Sequence, residues 1–134
     1  MIADNVLIDT SIWIEYFRNR SRQITEQVDE ILSRDGTYIP KVVIAELIQG
    51  ARSEKEIAVI ESFTDAFHVI DQSESTWAKA GRLSFDLKQQ GKNIHLVDCY
   101  IAVIAQEHKC QVFTMDRHFR DIEKAIGLDL HYIE

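Results

Sequence analysis

The sequence is poor in residues that interrupt or cross-link a chain. Its 134 residues include one proline and five glycines, which excludes a long flexible linker or a low-complexity segment. Its two cysteines, Cys99 and Cys110, lack Cys-x-x-Cys spacing, and we expect buried free thiols in a reducing compartment. Long apolar runs are absent and no secretory signal is evident, so we expect a cytoplasmic protein without membrane contact.

Positive charge is also scarce. Fifteen lysines and arginines against 22 acids give a net charge of -7, which argues against a non-specific nucleic-acid binder. A nuclease is not excluded, because acids gathered around divalent cations no longer repel phosphate. Hydrophobic residues make up 46% of the chain, and its length fits one domain over residues 1–134 with a single core.

Short apolar segments alternate with amphipathic helical segments along the chain. We predict strands over residues 5–9, 37–39, 67–70, 111–114 and 128–133, and helices over residues 11–17, 21–34, 41–50, 54–63, 73–90, 97–108 and 116–126. We expect Pro40 in the first turn of the third helix, and Ser73 to cap the long fifth helix. The alternation predicts an α/β sandwich around a mostly parallel sheet of four to five strands.

Four carboxylates stand where such a sheet places its functional sites, outside the carboxyl ends of its strands. Asp9 ends the first strand, and Asp116 lies two residues beyond the strand that ends at Thr114. Glu46 lies on the helix entered from the second strand, and Asp98 opens the helix before the fourth strand. We expect these acids to converge on a metal ion.

Each acid also has a purely structural interpretation. Asp9 and Asp116 could cap the helices after them, and Asp98 lies in a first turn, where the helix dipole favours an acid. Taken singly, these structural roles are the more common ones. Glu46 is harder to explain, because valines precede it by three and four positions and an unpaired buried carboxylate is costly. We expect Glu46 about equally on a narrow solvent-exposed face of its helix and in a functional site.

A set of oxygen ligands without cysteine or histidine selects Mg²⁺, or Mn²⁺, over Zn²⁺. Such a set indicates phosphoryl transfer, in which one metal activates water for in-line attack and a second stabilises the leaving oxygen. Thr10, Ser11 and Thr114 adjoin the acids and could orient them, although hydroxyls cap helices and turns as commonly. His95 and His118 could contact phosphate or act as acid–base groups, but ordinary surface or packing roles are the more common ones, because a metal-activated water needs no histidine base.

Six basic residues near these segments could hold phosphates, although a solvated surface role is the commoner one for each. They are Arg18, Arg20, Arg22, Lys41, Arg52 and Arg117.

The segments around the acids resemble the four motifs of PIN-domain nucleases. They read Val-Leu-Ile-Asp9-Thr-Ser-Ile-Trp, Ile-Ala-Glu46-Leu-Ile-Gln-Gly, Leu-Val-Asp98-Cys-Tyr-Ile-Ala and Val-Phe-Thr114-Met-Asp116-Arg-His-Phe. Any one of them is a weak signal, but all four occur in order and span nearly the whole chain. Within the family, the chain most resembles a VapC-type toxin of a type II toxin–antitoxin system.

This resemblance implies a PIN-like three-layer α/β/α sandwich formed by a single PIN domain. It implies a Mg²⁺- or Mn²⁺-dependent endoribonuclease in which Asp9, Glu46, Asp98 and Asp116 are catalytic and bind the metal. It also implies an RNA substrate, a homodimer, and neutralisation by a cognate antitoxin.

Three other functions stay open. The chain could be a PIN nuclease of RNA processing that is not a toxin, or a non-catalytic interaction module whose acids are helix caps. A phosphatase with an aspartyl-phosphate intermediate is disfavoured, because Ser11 stands where that chemistry wants a second acid.

Overall fold

The computed structural model describes residues 2–134, and within them the chain forms five strands and seven helices. Met1, which the predicted domain includes, lies outside the described residues. In chain order the elements are β1 (Val6–Ile8), α1 (Thr10–Arg18), α2 (Arg22–Leu32), β2 (Thr37–Pro40), α3 (Lys41–Gln49), α4 (Glu54–Thr64), β3 (His68–Ile70), α5 (Thr76–Gln89), α6 (Leu96–Glu107), β4 (Gln111–Thr114), α7 (His118–Ile126) and β5 (Leu130–Tyr132).

The strands form one sheet in the order β3-β2-β1-β4-β5, and every neighbouring pair is parallel. Right-handed crossovers between parallel strands place α1 to α4 on one face and α5 to α7 on the other. The packing agrees, since α1 contacts α2 and α3, whereas α5 lies along α6 and α6 contacts α7. The predicted three-layer sandwich with a mostly parallel sheet is therefore confirmed.

The chain changes direction across the sheet between β1 and β4. From β1 it moves outward to β2, and from β4 it moves the opposite way to β5. The loops that leave two such strands diverge, which opens a crevice at their carboxyl ends. Asp9 follows β1 and Asp116 follows β4 shortly after its last residue, so both lie at this switch point.

The core surrounds β1 and α6. All three residues of β1 are buried, and so is every residue of α6 from 99 to 105. Cys99 and Cys110 are buried free thiols as predicted, and burial raises the pKa of each to about 11. None of the helices within residues 2–134 is long and apolar enough to cross a bilayer.

Two predicted helix starts are wrong, whereas α3 begins at Lys41 as predicted. Pro40 is both the last residue of β2 and the N-cap residue of α3, one position before the first turn expected for it. The helix α7 begins at His118, because Asp116 is still in the turn that follows β4. The long helix α5 begins at Thr76 and not at Ser73. A tertiary contact accounts for this start, since the Thr76 hydroxyl donates a 2.6 Å hydrogen bond to Glu107 of α6.

Gly36 fixes the approach of the chain before β2 to the chain before β1. A Cβ atom at this position would overlap the backbone carbonyl oxygen of Asp4. Gly36→Ala should therefore lower the free energy of unfolding by about 1–3 kcal/mol, measured by urea denaturation. Gly81 lies on the exposed side of α5, where a methyl group would meet no described atom within 4 Å, so Gly81→Ala is the control and should be stabilising. Equal stability of the two variants would contradict this account.

Candidate active site

Asp9 is a buried carboxylate at the carboxyl end of β1. It is 5% exposed, and its Oδ2 accepts hydrogen bonds of 2.9 Å from the hydroxyls of both Ser11 and Thr114. It occupies the N-cap position of α1, yet its side chain makes no capping hydrogen bond to that fully described helix. The side-chain hydrogen bonds of this carboxylate therefore run to two hydroxyl groups, one of which lies at the end of β4.

Burial raises the pKa of Asp9, and this effect outweighs the opposing ones. The hydroxyls of Thr114 and Ser11 lower that pKa, as do the nearby backbone N–H groups of Thr10 and Ser11. The fold thus holds a carboxylate where ionisation is costly and supplies donors that only partly offset the cost. Such a group is a candidate for a functional role.

Two hydroxyl groups join the ends of β1 and β4 around this carboxylate. Thr114 Oγ1 also accepts a 2.9 Å hydrogen bond from the backbone N–H of Asp116, and Ser11 Oγ accepts one of 3.1 Å from the N–H of Met115. Each hydroxyl thus donates to Asp9 and accepts from the turn that carries Asp116. They set the position of one acid relative to the other.

Thr114→Val should test this link, since valine keeps the shape and removes the hydroxyl. The variant should lose about 1–3 kcal/mol of unfolding free energy, because the buried Asp9 oxygen and the N–H of Asp116 each lose a partner. Urea denaturation measures the loss, and Thr114→Ser, which keeps the hydroxyl, is the control. A valine variant as stable as the serine variant would show that these hydrogen bonds contribute nothing.

Asp98 and Asp116 come together beside Asp9. One ligand atom from each of Asp98, Asp116 and His118 lies within 4.8 Å of the other two. The pKa of Asp98 is raised to about 6, first by burial and then by the negative charges of Asp116 and Asp9, while His118 and His95 oppose the shift. The carboxylates of Asp9, Asp98 and Asp116 thus lie close enough to interact electrostatically.

The structural interpretation describes the position of Asp98 correctly, whereas Asp116 lies one residue before Arg117, the N-cap residue of α7. Asp98 lies in the first turn of α6. Asp116 Oδ1 accepts a 2.9 Å hydrogen bond from the backbone N–H of His118, the first residue of α7. Neither position prevents the carboxylate from facing its neighbours across the switch point.

Glu46 is linked to this region through Thr10. It is partly buried on α3, and its Oε1 accepts a 2.8 Å hydrogen bond from the Thr10 hydroxyl, next to Asp9 in the chain. It also borders a shallow groove that Arg18 lines. Glu46 is outside the three-residue cluster of ligand atoms, so its direct role in a metal site stays a prediction.

The six basic residues do not form one patch around the acids. Three of them form surface ion pairs, which are Arg20 with Glu15, Arg22 with Glu26, and Lys41 with Asp71. Arg20 and Arg22 follow a helix about 13 Å long that begins beside Asp9, so they lie toward its far end. Lys41 opens α3 and Arg117 immediately precedes α7, so these two stand near the carboxyl edge of the sheet. Arg18 and Arg52 are exposed, and phosphate contact by any of the six stays a prediction.

His118, for which the sequence favoured an ordinary surface or packing role, lies beside these acids. Its Nδ1 lies 3.2 Å from Asp116 Oδ1, and it belongs to the cluster with Asp98. One signal in the sequence could have identified it. It follows Asp116 by two positions, as Ser11 follows Asp9.

Comparison with known proteins places this architecture in a family. Residues 6–125 match the family described as PIN domain. The chain is 33% identical over 100 residues to Ribonuclease VapC1 of Haemophilus influenzae strain R2866, which covers 72% of this chain and 75% of that protein. It is 28% identical over 126 residues to the tRNA(fMet)-specific endonuclease VapC of Shigella flexneri, covering 91% and 92% of the two chains.

Structural similarity agrees. A chain of the VapBC-1 structure from nontypeable Haemophilus influenzae has a TM-score of 0.76 and 27% identity, covering 95% of this chain and 96% of that one. The chain therefore belongs to the PIN-domain family and, within it, to the VapC type.

Proposed function

We propose that this protein is a Mg²⁺- or Mn²⁺-dependent endoribonuclease toxin that hydrolyses RNA phosphodiester bonds and is neutralised by a cognate antitoxin. The observation that carries the proposal is the convergence of Asp9, Asp98 and Asp116 at the switch point between β1 and β4. Similarity to proteins named ribonuclease and endonuclease supports the reaction class.

The donor set fits a divalent cation. Asp9, Asp98 and Asp116 would hold it, with His118 beside them and Glu46 as the fourth acid of the proposed site. When bound, such an ion polarises a phosphate oxygen and lowers the pKa of water, which supplies a nucleophile at neutral pH. Burial raises the pKa of Asp98 most, and the charges of Asp116 and Asp9 raise it further. This repulsion between carboxylates is the electrostatic reason that the site favours a cation.

The residues of the chain have separate tasks in this scheme. Ser11 and Thr114 hold the carboxylate of Asp9 in one orientation, so it needs little reorganisation when a substrate arrives. Asp98 gives up the proton at its carboxyl group when a cation binds, because ligation needs the ionised form. Lys41 and Arg117, near the same edge of the sheet, are the basic residues that we propose as contacts to RNA phosphates.

Electrostatics makes the reaction depend on cations. The chain carries a net charge of -7, and four of its acids belong to the proposed site. An RNA backbone would be repelled from such a site unless divalent cations neutralised it.

The partners follow from the family type. Similarity to VapBC structures supports an antitoxin partner, and the resemblance to VapC-type toxins implies a homodimer. An RNA substrate implies that the protein acts in the cytoplasm. A PIN nuclease of RNA processing that is not a toxin is the second candidate, and it shares the same site chemistry.

RNA cleavage by the purified protein tests the proposal. Total bacterial RNA should be cut at a small set of sites with Mg²⁺ or Mn²⁺, and EDTA should stop the reaction. Sequencing of the new ends identifies the target, and co-purification with the product of a neighbouring small gene, with loss of cleavage, identifies the antitoxin. Absence of cleavage with either metal would contradict the nuclease. Cleavage that no neighbouring gene product inhibits would favour the RNA-processing candidate.

A further inference from the structure

His118 places an imidazole nitrogen among the carboxylates. The ring is less than half exposed, and its Nδ1 lies 3.2 Å from Asp116 Oδ1. A ligand atom of Asp98 completes the group within 4.8 Å. His118 is the first residue of α7, and its backbone N–H donates a hydrogen bond to Asp116 Oδ1. Both the backbone and the imidazole ring of His118 therefore lie next to Asp116.

These separations are those of ligands that share one ion. Adjacent ligands of an octahedral ion stand about 3 Å apart, and opposite ligands about 4.2 Å apart, when each lies about 2.1 Å from it. The 3.2 Å between Asp116 and His118 matches adjacent positions. The ligand atom of Asp98 lies within 4.8 Å of the other two, so all three side chains can approach one ion.

We propose that His118 is a direct nitrogen ligand of the metal held by Asp98 and Asp116, and that this nitrogen makes the site prefer Mn²⁺ to Mg²⁺. The proposal rests on the metal-dependent function proposed above and refines it. Both ions suit carboxylate ligands. Mg²⁺ is bound through oxygen and keeps its waters, so it gains little from an imidazole. Mn²⁺, a transition-metal ion that gives up its waters more easily, accepts a nitrogen ligand among oxygens.

The competing role for His118 is to orient Asp116 through an N–H···O hydrogen bond. The chain offers a matched pair for comparison, because His68 Nε2 also lies 3.2 Å from an aspartate oxygen, that of Asp35. That pair is outside the cluster of ligand atoms found among the described residues. His68→Gln therefore removes an equivalent His–Asp contact away from the site.

Pulsed EPR of bound Mn²⁺ tests ligation without relying on activity. The wild-type protein, loaded with one equivalent of Mn²⁺, should show modulation from a directly bound ¹⁴N nucleus, which ¹⁵N-histidine labelling should shift. His118→Gln should remove this modulation, and His68→Gln should keep it. The wild-type spectrum alone decides whether a histidine is bound, even if a variant fails to fold.

Titration of the two metals tests the preference. His118→Gln should weaken Mn²⁺ binding at least about tenfold and change Mg²⁺ binding by less than about threefold, whereas His68→Gln should leave both unchanged. Bound Mn²⁺ without nitrogen modulation, modulation that survives in His118→Gln, or equal weakening of both metals would overturn the role of His118 and leave the proposed nuclease intact. A wild-type protein that binds neither metal would overturn both.

Discussion

Asp98→Asn should reduce RNA cleavage by on the order of 10³-fold while leaving the protein folded. The substitution removes a negative charge from the three carboxylates that we propose to hold the metal, and asparagine keeps the shape of the side chain. Single-turnover cleavage of a mapped RNA site measures the loss, and growth after induction reports toxicity. Asp9→Asn should behave in the same way, because an amide oxygen can still accept from Ser11 and Thr114.

The Asp98→Asn variant should unfold at a higher temperature than the wild type when no metal is present. The charges of Asp116 and Asp9 oppose ionisation of Asp98, so a neutral side chain relieves that repulsion. Asp65→Asn, an exposed acid at the end of α4, is the control and should change neither cleavage nor unfolding. Full cleavage by Asp98→Asn with metal present would refute a catalytic role for this acid.

Metal affinity should increase about tenfold between pH 5 and pH 7, because the carboxylate of Asp98 must be ionised to bind. The pKa of Asp98 is raised from 3.8 to about 6, so most of its ionisation falls inside this range. The raised pKa of Asp9 works in the same direction. Mn²⁺ titrations at several pH values measure the effect, and Asp98→Asn should flatten it.

As the pH rises, the stability of the metal-free protein should fall, whereas its metal affinity increases. A carboxyl group with a raised pKa in the folded state contributes stability below its unfolded pKa, and this contribution is lost as the pH rises through the folded value. For Asp98 the loss falls between about pH 4 and pH 6, and thermal unfolding without metal should show it. A rise in this contribution over the same interval, or a metal affinity independent of pH, would contradict the assigned environment of Asp98.

The strand ends explain why much of the site was predictable. Asp9 and Asp116 follow apolar strands, and parallel strands bring such positions to one edge regardless of side-chain detail. To predict the position of Asp98, only the start of α6 was needed. The strand order β3-β2-β1-β4-β5 could not be predicted, because it depends on long-range pairing that no local pattern encodes.

Side-chain partners account for what the sequence could not predict. The bond from Thr10 to Glu46 depends on how α1 packs against α3. The position of His118 depends on α7 beginning two residues later than its acidic start suggests. The late start of α5 depends on Glu107, which lies 31 positions after Thr76 in the chain. Propensity describes each segment alone, and these features arise between segments.

Anomalous X-ray diffraction from crystals grown with Mn²⁺ tests the central claim most directly, because it locates the ion itself. The account predicts an anomalous peak at the carboxyl end of β1 and β4, at bonding distance from a carboxylate oxygen of Asp98 and of Asp116. Loss of this peak in Asp98→Asn crystals would complete the assignment. Crystals of the wild type with Mn²⁺ bound elsewhere, and none beside these acids, would contradict it.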